Sequence, residues 1–193
     1  FVEKYLYYNR KELFVLIMKI KKQPLFLFFL AFCSLLLADQ YTKWLAVSRL
    51  KGQEPFVIIR RVLEFSYLEN TGAAFSSFTG RQAFLIGLTT VVILLLLWKY
   101  LTLPEEKRFV PMRLCMLLII SGAVGNLVDR VRNKYVVDFI YFVPINFPKF
   151  NVADIYITVG VALLAILLFF YYEDAELEAL ITIRRKRTGN MPE

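Results

Sequence analysis

Residues 155–172, IYITVGVALLAILLFFYY, contain no charged side chain and no proline, and 18 apolar or weakly polar residues wound as a helix nearly cross a hydrocarbon layer about 30 Å thick. Three other stretches read the same way. They are PLFLFFLAFCSLLLA (24–38) with its continuation past Asp39, AFLIGLTTVVILLLLW (83–98), and MRLCMLLIISGAVGNLV (112–128). One such run fits the buried helix of a globular core. Four in 193 residues leave too little polar sequence to enclose them. The composition agrees, with 58% hydrophobic side chains against roughly 45–50% in a soluble domain, and a positive mean hydropathy. The expectation is an integral membrane, mainly α protein: a four-transmembrane-helix bundle with a small extracytoplasmic β-sheet cradle.

The net charge of +8 reads as topology rather than as affinity for nucleic acid. Lys19, Lys21 and Lys22 precede the first run, Lys99, Lys107, Arg108 and Arg113 lie between the second and third, and Arg184, Arg185, Lys186 and Arg187 follow the fourth. These positions share one side of a four-pass chain, which the positive-inside rule makes cytoplasmic along with both termini. Residues 1–18 read as an N-terminal extension ahead of Met18, 19–172 as the membrane domain and 173–193 as a cytoplasmic tail that continues the fourth helix. The loop LTLPEEKRFVP (101–111) reads as a simple connection.

On the outer side, VLEFSYLE (62–69) alternates, with Leu63, Phe65 and Tyr67 opposite Glu64 and Ser66, the pattern of a half-buried strand. Pro55 and Asn70-Thr71-Gly72 bracket it and a partner as a small strand pair, its apolar face toward lipid or substrate.

There is no histidine, so Ser-His-Asp and Cys-His devices and HExxH zinc helices are excluded. Cys33 and Cys115 fall inside apolar runs as packing residues. No metal or cofactor is expected.

The unusual polar residues gather at the outer helix ends. Asp39 and Lys43 are four apart on one helical face, Asn126, Asp129 and Arg130 close the third span, and Asn151 and Asp154 open the fourth. Asp39 with Lys43, and Asp129 beside Arg130, are read equally well as ion pairs. Asp138 in VVDFIYF and Asp154 in FNVADIYI have no adjacent cation. Burial raises the pKa of at least one, and two carboxylates in one site raise it further. A pair holding one proton suits hydrolysis of a peptide bond, one acid taking a proton from water while the other hydrogen-bonds the carbonyl.

Five motifs carry a resemblance: DQYTK (39–43), NTGAAFS (70–76), GAVGNLVDR (122–130), VVDF (136–139) and FNVAD (150–154). In this order around four spans, the chain from about Lys19 to about Tyr172 resembles the lipoprotein signal peptidase family, signal peptidase II. The resemblance implies an aspartic endopeptidase of the bacterial cytoplasmic (inner) membrane. Such an enzyme removes signal peptides from diacylglyceryl-modified prolipoproteins, cutting before the lipidated cysteine. It implies Asp138 and Asp154 as the catalytic pair, and Asn70, Asn126, Asp129, Arg130, Asn151, Asp39 and Lys43 as substrate-binding or supporting residues. The loop around Phe75 and Phe78 is expected to cover the site, and prolipoprotein and membrane lipid are the partners, with no nucleic acid.

The alternatives are a small proton-coupled membrane transporter, with acids near the bilayer midplane and broken helices, and a non-catalytic scaffold. A serine protease built on Ser121 is a third and weaker reading, since that residue has no histidine or evident lysine partner.

Overall fold

The computed structural model describes residues 2–72 and 81–181, with side chains described from Leu25 to Glu178. Its elements run α1 (Val2–Leu50), β1 (Phe56–Ile59), β2 (Leu63–Asn70), α2 (Gln82–Thr102), α3 (Val110–Asn133), β3 (Val136–Phe142), α4 (Val152–Phe170) and α5 (Asp174–Ile181). Four stretches are long and apolar enough to cross a membrane: Leu25–Leu50, Gln82–Thr102, Lys107–Asn133 and Val152–Phe170.

Helix α3 is the axis of the bundle and packs against α1, α2 and α4. Its buried residues Met112, Cys115, Met116, Ile119, Ile120 and Ala123 recur every three or four positions and wind a stripe around its core side. On α1, α2 and α4 the large apolar residues point outward instead; Phe26, Phe29, Leu30, Leu94, Leu95, Leu101, Ile166 and Phe169 are all exposed. In water so much apolar surface would aggregate, whereas in a bilayer it meets acyl chains.

Close approach of α4 and α1 to α3 depends on glycine. A Cβ at Gly122 would strike the Ala153 carbonyl, and one at Gly125 the Asp39 carboxylate, while at Gly160 it would lie 2.7 Å from Ile119 Cγ1. Gly125→Ala is expected to cost about 1–3 kcal/mol, the usual penalty of overpacking. Thermal unfolding in detergent measures it, and an unchanged midpoint would show that α1 can retreat freely.

The expected strand pair is a three-stranded antiparallel sheet, order β1-β2-β3. The third strand is VVDFIYF itself. Val136, Val137, Asp138 and Phe139 are all buried, so both faces are covered and no alternation marks the strand. Leu68 pairs with Asp138 and Asn70 with Val136, after a bulge between Phe65 and Leu68.

The tail expectation is corrected at Tyr171–Glu173, where α4 ends and α5 begins separately. Buried Tyr172 stacks on Phe109 (5.5 Å between centroids), and Arg108 donates to the Tyr171 carbonyl and pairs with Glu176 at 3.0 Å. The loop before α3 is thus more than a connection, because it anchors the chain after α4. The four spans themselves are unbroken, and Cys33 and Cys115 are unpaired thiols in partly or fully buried positions.

Candidate active site

The path from α3 to α4 builds the site. Lys134 adopts the left-handed conformation (φ 67°) and caps α3, so β3 starts within three residues of the helix end. After β3, a turn at Val143–Ile145 reverses the chain. Phe150 then pairs with Ile140 through backbone hydrogen bonds of 2.9 and 3.0 Å. That pairing sets Asn151 against Asp138 and starts α4 beside β3.

Asn151 is fully buried and caps α4. Its Oδ1 accepts from the Asp154 backbone N–H at 3.0 Å, and its own backbone N–H donates to Asp154 Oδ2 at 3.1 Å. Both bonds satisfy groups that a helix start leaves open. With Oδ1 committed to a backbone donor, the amide nitrogen must face the other way, where it donates to Asp138 Oδ1 at 2.7 Å. One asparagine therefore holds both acids, which lie sixteen positions apart in the chain.

The other two asparagines are oriented by the same logic. Asn70 Oδ1 accepts from the Gly72 backbone N–H (2.9 Å), so its Nδ2 donates to Asp138 Oδ2 (2.8 Å). Asn126 Oδ1 accepts from Lys43 Nζ (2.9 Å), a group that can only donate, so its Nδ2 donates to Asp154 Oδ1 (2.8 Å). Every carboxyl oxygen of the two acids thus receives one N–H and keeps a lone pair.

Asp138 is only 1% exposed, and its pKa is pushed up to about 7, first by burial and then by the charge of Asp154, against the hydrogen bonds from Asn70 and Asn151. Asp154 is half-buried and reaches a cavity of about 610 Å³. Asn70, Asn126, Arg130 and Asp138 line the polar part of that cavity, and Phe147, Ile155 and Val159 its apolar part.

Beneath the acids lies a buried charge cluster. Lys43 Nζ lies 3.0 Å from Asp39 Oδ2, 2.9 Å from Asp129 Oδ2 and 2.9 Å from Asn126 Oδ1, using all three of its N–H bonds. The Asp39–Lys43 pair is as read from sequence, though wholly enclosed. The Asp129–Arg130 pair is corrected: Asp129 bonds Lys43 and the Val137 backbone N–H. Adjacent helical residues do not face one another. Arg130 instead turns into the cavity, donating to the carbonyls of Gly72 (3.1 Å) and Asn126 (3.5 Å), and its Nε has no partner among the described residues.

Gln40 is an omission of the sequence reading. Its Nε2 lies within hydrogen-bond reach of Asp39 Oδ2 (3.1 Å), Asp129 Oδ1 (3.2 Å) and the Gly125 carbonyl (3.3 Å). It stands inside DQYTK, between Asp39 and Lys43, where an uncharged side chain carries no sign of its role in the sequence. Phe75 and Phe78 lie outside the described residues. Ser121 is fully enclosed within α3, with no partner for its hydroxyl among the described residues, and about 7.5 Å along the axis from Asn126.

The family model described as "Signal peptidase (SPase) II" matches residues 31–170. This chain belongs to the signal peptidase II family. It is 44% identical over 142 residues to a lipoprotein signal peptidase of Clostridium tetani, covering 72% of this chain and 88% of that one. It is 39% identical over 143 residues to one from Streptococcus pyogenes, covering 74% and 93%. Among solved structures, two bacterial membrane enzymes determined by the in meso method superpose with TM-scores of 0.68 and 0.67 at 30% and 29% identity. They cover 73% and 75% of this chain and 86% and 94% of theirs. As a signal peptidase II family member with four spans, the chain is a multi-pass membrane protease.

Proposed function

We propose that the protein is an aspartic endopeptidase of the bacterial cytoplasmic membrane that removes signal peptides from diacylglyceryl-modified prolipoproteins, cutting just before the lipidated cysteine. The observation that carries the reading is Asn151, which bonds Asp138 through its side chain and Asp154 through its backbone. The names of the relatives, lipoprotein signal peptidases, support a lipoprotein substrate, and the grouping of basic residues beside alternate spans in the sequence supports cytoplasmic termini.

In this mechanism one water lies between the acids. Asp154, ionised, takes its proton as the water oxygen bonds to the scissile carbonyl carbon. Asp138, protonated because its carboxyl is held near neutrality, donates to the carbonyl oxygen. Collapse of the tetrahedral intermediate returns that proton to Asp138 and breaks the C–N bond, and Asp154 passes its proton to the leaving amine. Arg130 and the asparagines are positioning groups. The site suits a lipid-bearing substrate, since exposed Ile155 and Val159, on the α4 span, line the cavity together with the polar Asn70, Asn126 and Arg130.

The direct experiment is cleavage of a diacylglyceryl-modified prolipoprotein by the purified protein in detergent; release of the signal peptide is expected, and none from an unmodified precursor. Equal cleavage of both forms would overturn the substrate assignment. The pH dependence follows from Asp138. Its raised pKa keeps the proton on the pair below about 7, so kcat/KM falls as pH rises through that value and the pair becomes doubly ionised. A rate that instead climbs through pH 7 to a plateau would contradict the assigned roles.

A further inference from the structure

We propose that Lys149 is a specificity determinant for the peptide that follows the scissile bond, favouring substrates with Asp or Glu close after the cleavage point. The proposal rests on the peptidase reading above and adds to it a subsite for an anionic side chain. Lys149 lies in NFPKFN, between β3 and α4, and lines the same cavity as Asp138 and Asp154. Its Nζ donates to Ser66 Oγ on β2 at 2.7 Å and sits 5.8 Å from the Tyr141 ring on β3, so the sheet aims the ammonium without neutralising it. Two of its three N–H bonds remain for a ligand.

Most other charges nearby have partners, and Glu64, opposite Tyr141 in the sheet, forms no ion pair with Lys149. Lys43 is paired with both Asp39 and Asp129, and Glu69 with Lys51 at 2.7 Å. Arg130 faces the field of Asp154, Asp138 and Asp129. No carboxylate pairs with Lys149 among the described residues, and residues 73–80 contain no acid. Lys149 thus stands in the cavity with no ion-pair partner among the described residues, and an anionic group on the substrate would supply one.

Position decides which part of the substrate that is. From the acids, Thr158 and Val159 continue the cavity one turn along α4 into the membrane-spanning segment. Lys149 and Phe147 bound the opposite, sheet side. The apolar signal peptide and the acyl chains both stay at the α4 end, so the polar chain that follows the lipidated cysteine emerges past Lys149.

The test compares kcat/KM for two diacylglyceryl peptides that differ only in Glu or Lys two residues after the lipidated cysteine, using the full chain and its Lys149→Gln and Lys149→Glu variants. Gln keeps a donor for Ser66 and removes the charge. The wild type should prefer the Glu peptide by about threefold to tenfold, as for a partly exposed charge pair. Lys149→Gln should bring the ratio near one, and Lys149→Glu should invert it. Ratios are taken within each variant, so a general loss of activity cancels. The same ratio in all three proteins would overturn the proposal, as would a ratio set by anionic lipid rather than by the peptide. Failure of the wild type to cut either peptide would instead refute the peptidase reading.

Discussion

Asp138→Asn and Asp154→Asn are each expected to lower kcat by a factor on the order of 100 to 10,000, the range contributed by a positioned acid or base, while the protein remains folded. The fold should survive because an amide preserves volume and one acceptor, which can still take one of the two N–H bonds each acid receives, from Asn70 or Asn151 at Asp138 and from Asn126 or the Asn151 backbone at Asp154. The two changes act on one water, so their effects should not add: the double variant should be about as inactive as either single one. Product release in single-turnover assays and thermal unfolding in the same detergent separate chemistry from folding. A folded Asp138→Asn enzyme with near-normal turnover would favour a non-catalytic role for this acid.

The largest expected effect on stability is at Lys43. The Lys43→Met change keeps the shape of the stem but leaves Asp39 and Asp129 facing each other with no cation, both enclosed. Breaking a buried ion pair from one side costs about 3–5 kcal/mol, which would be read as a large drop in the unfolding midpoint. Turnover should fall as well, because Asn126 Oδ1 loses its charged donor and keeps only the Asn151 amide at 3.1 Å to fix its own amide toward Asp154. Adding Asp129→Asn to Lys43→Met removes one orphaned charge and should recover part of the stability. A Lys43→Met protein as stable as the parent would mean that water or protonation relieves the cluster, and would remove its structural role.

The parts of the site written in charge were legible. Asp138 and Asp154 stood out because nothing next to them in sequence neutralises a carboxylate, and in the structure neither forms an ion pair with Lys43 while both are tied to Asn151. The four spans were legible because length and apolarity suffice to identify them. What was hidden depends on packing. Strand β3 has both faces covered and carries no period-two signal. Gln40 matters only because Gly125 lets α1 approach α3 closely enough for one amide to reach two acids and a carbonyl. The break after α4 has no glycine or proline to mark it and follows from Tyr172 stacking on Phe109. Of the two readings open for Asp129, the ion pair with Arg130 fails because neighbours in a helix do not face one another, and Asp129 bonds Lys43 and Val137 instead.

The account turns on two distant acids sharing one proton above a common water. Titration of the Asp138 carboxyl carbon by ¹³C NMR, in the wild type and in Asp154→Asn, tests that coupling most directly. A wild-type midpoint near 7 that moves down when the charge at position 154 is removed is the predicted result. A midpoint in the ordinary carboxylate range, or one that ignores the Asp154 change, would contradict it.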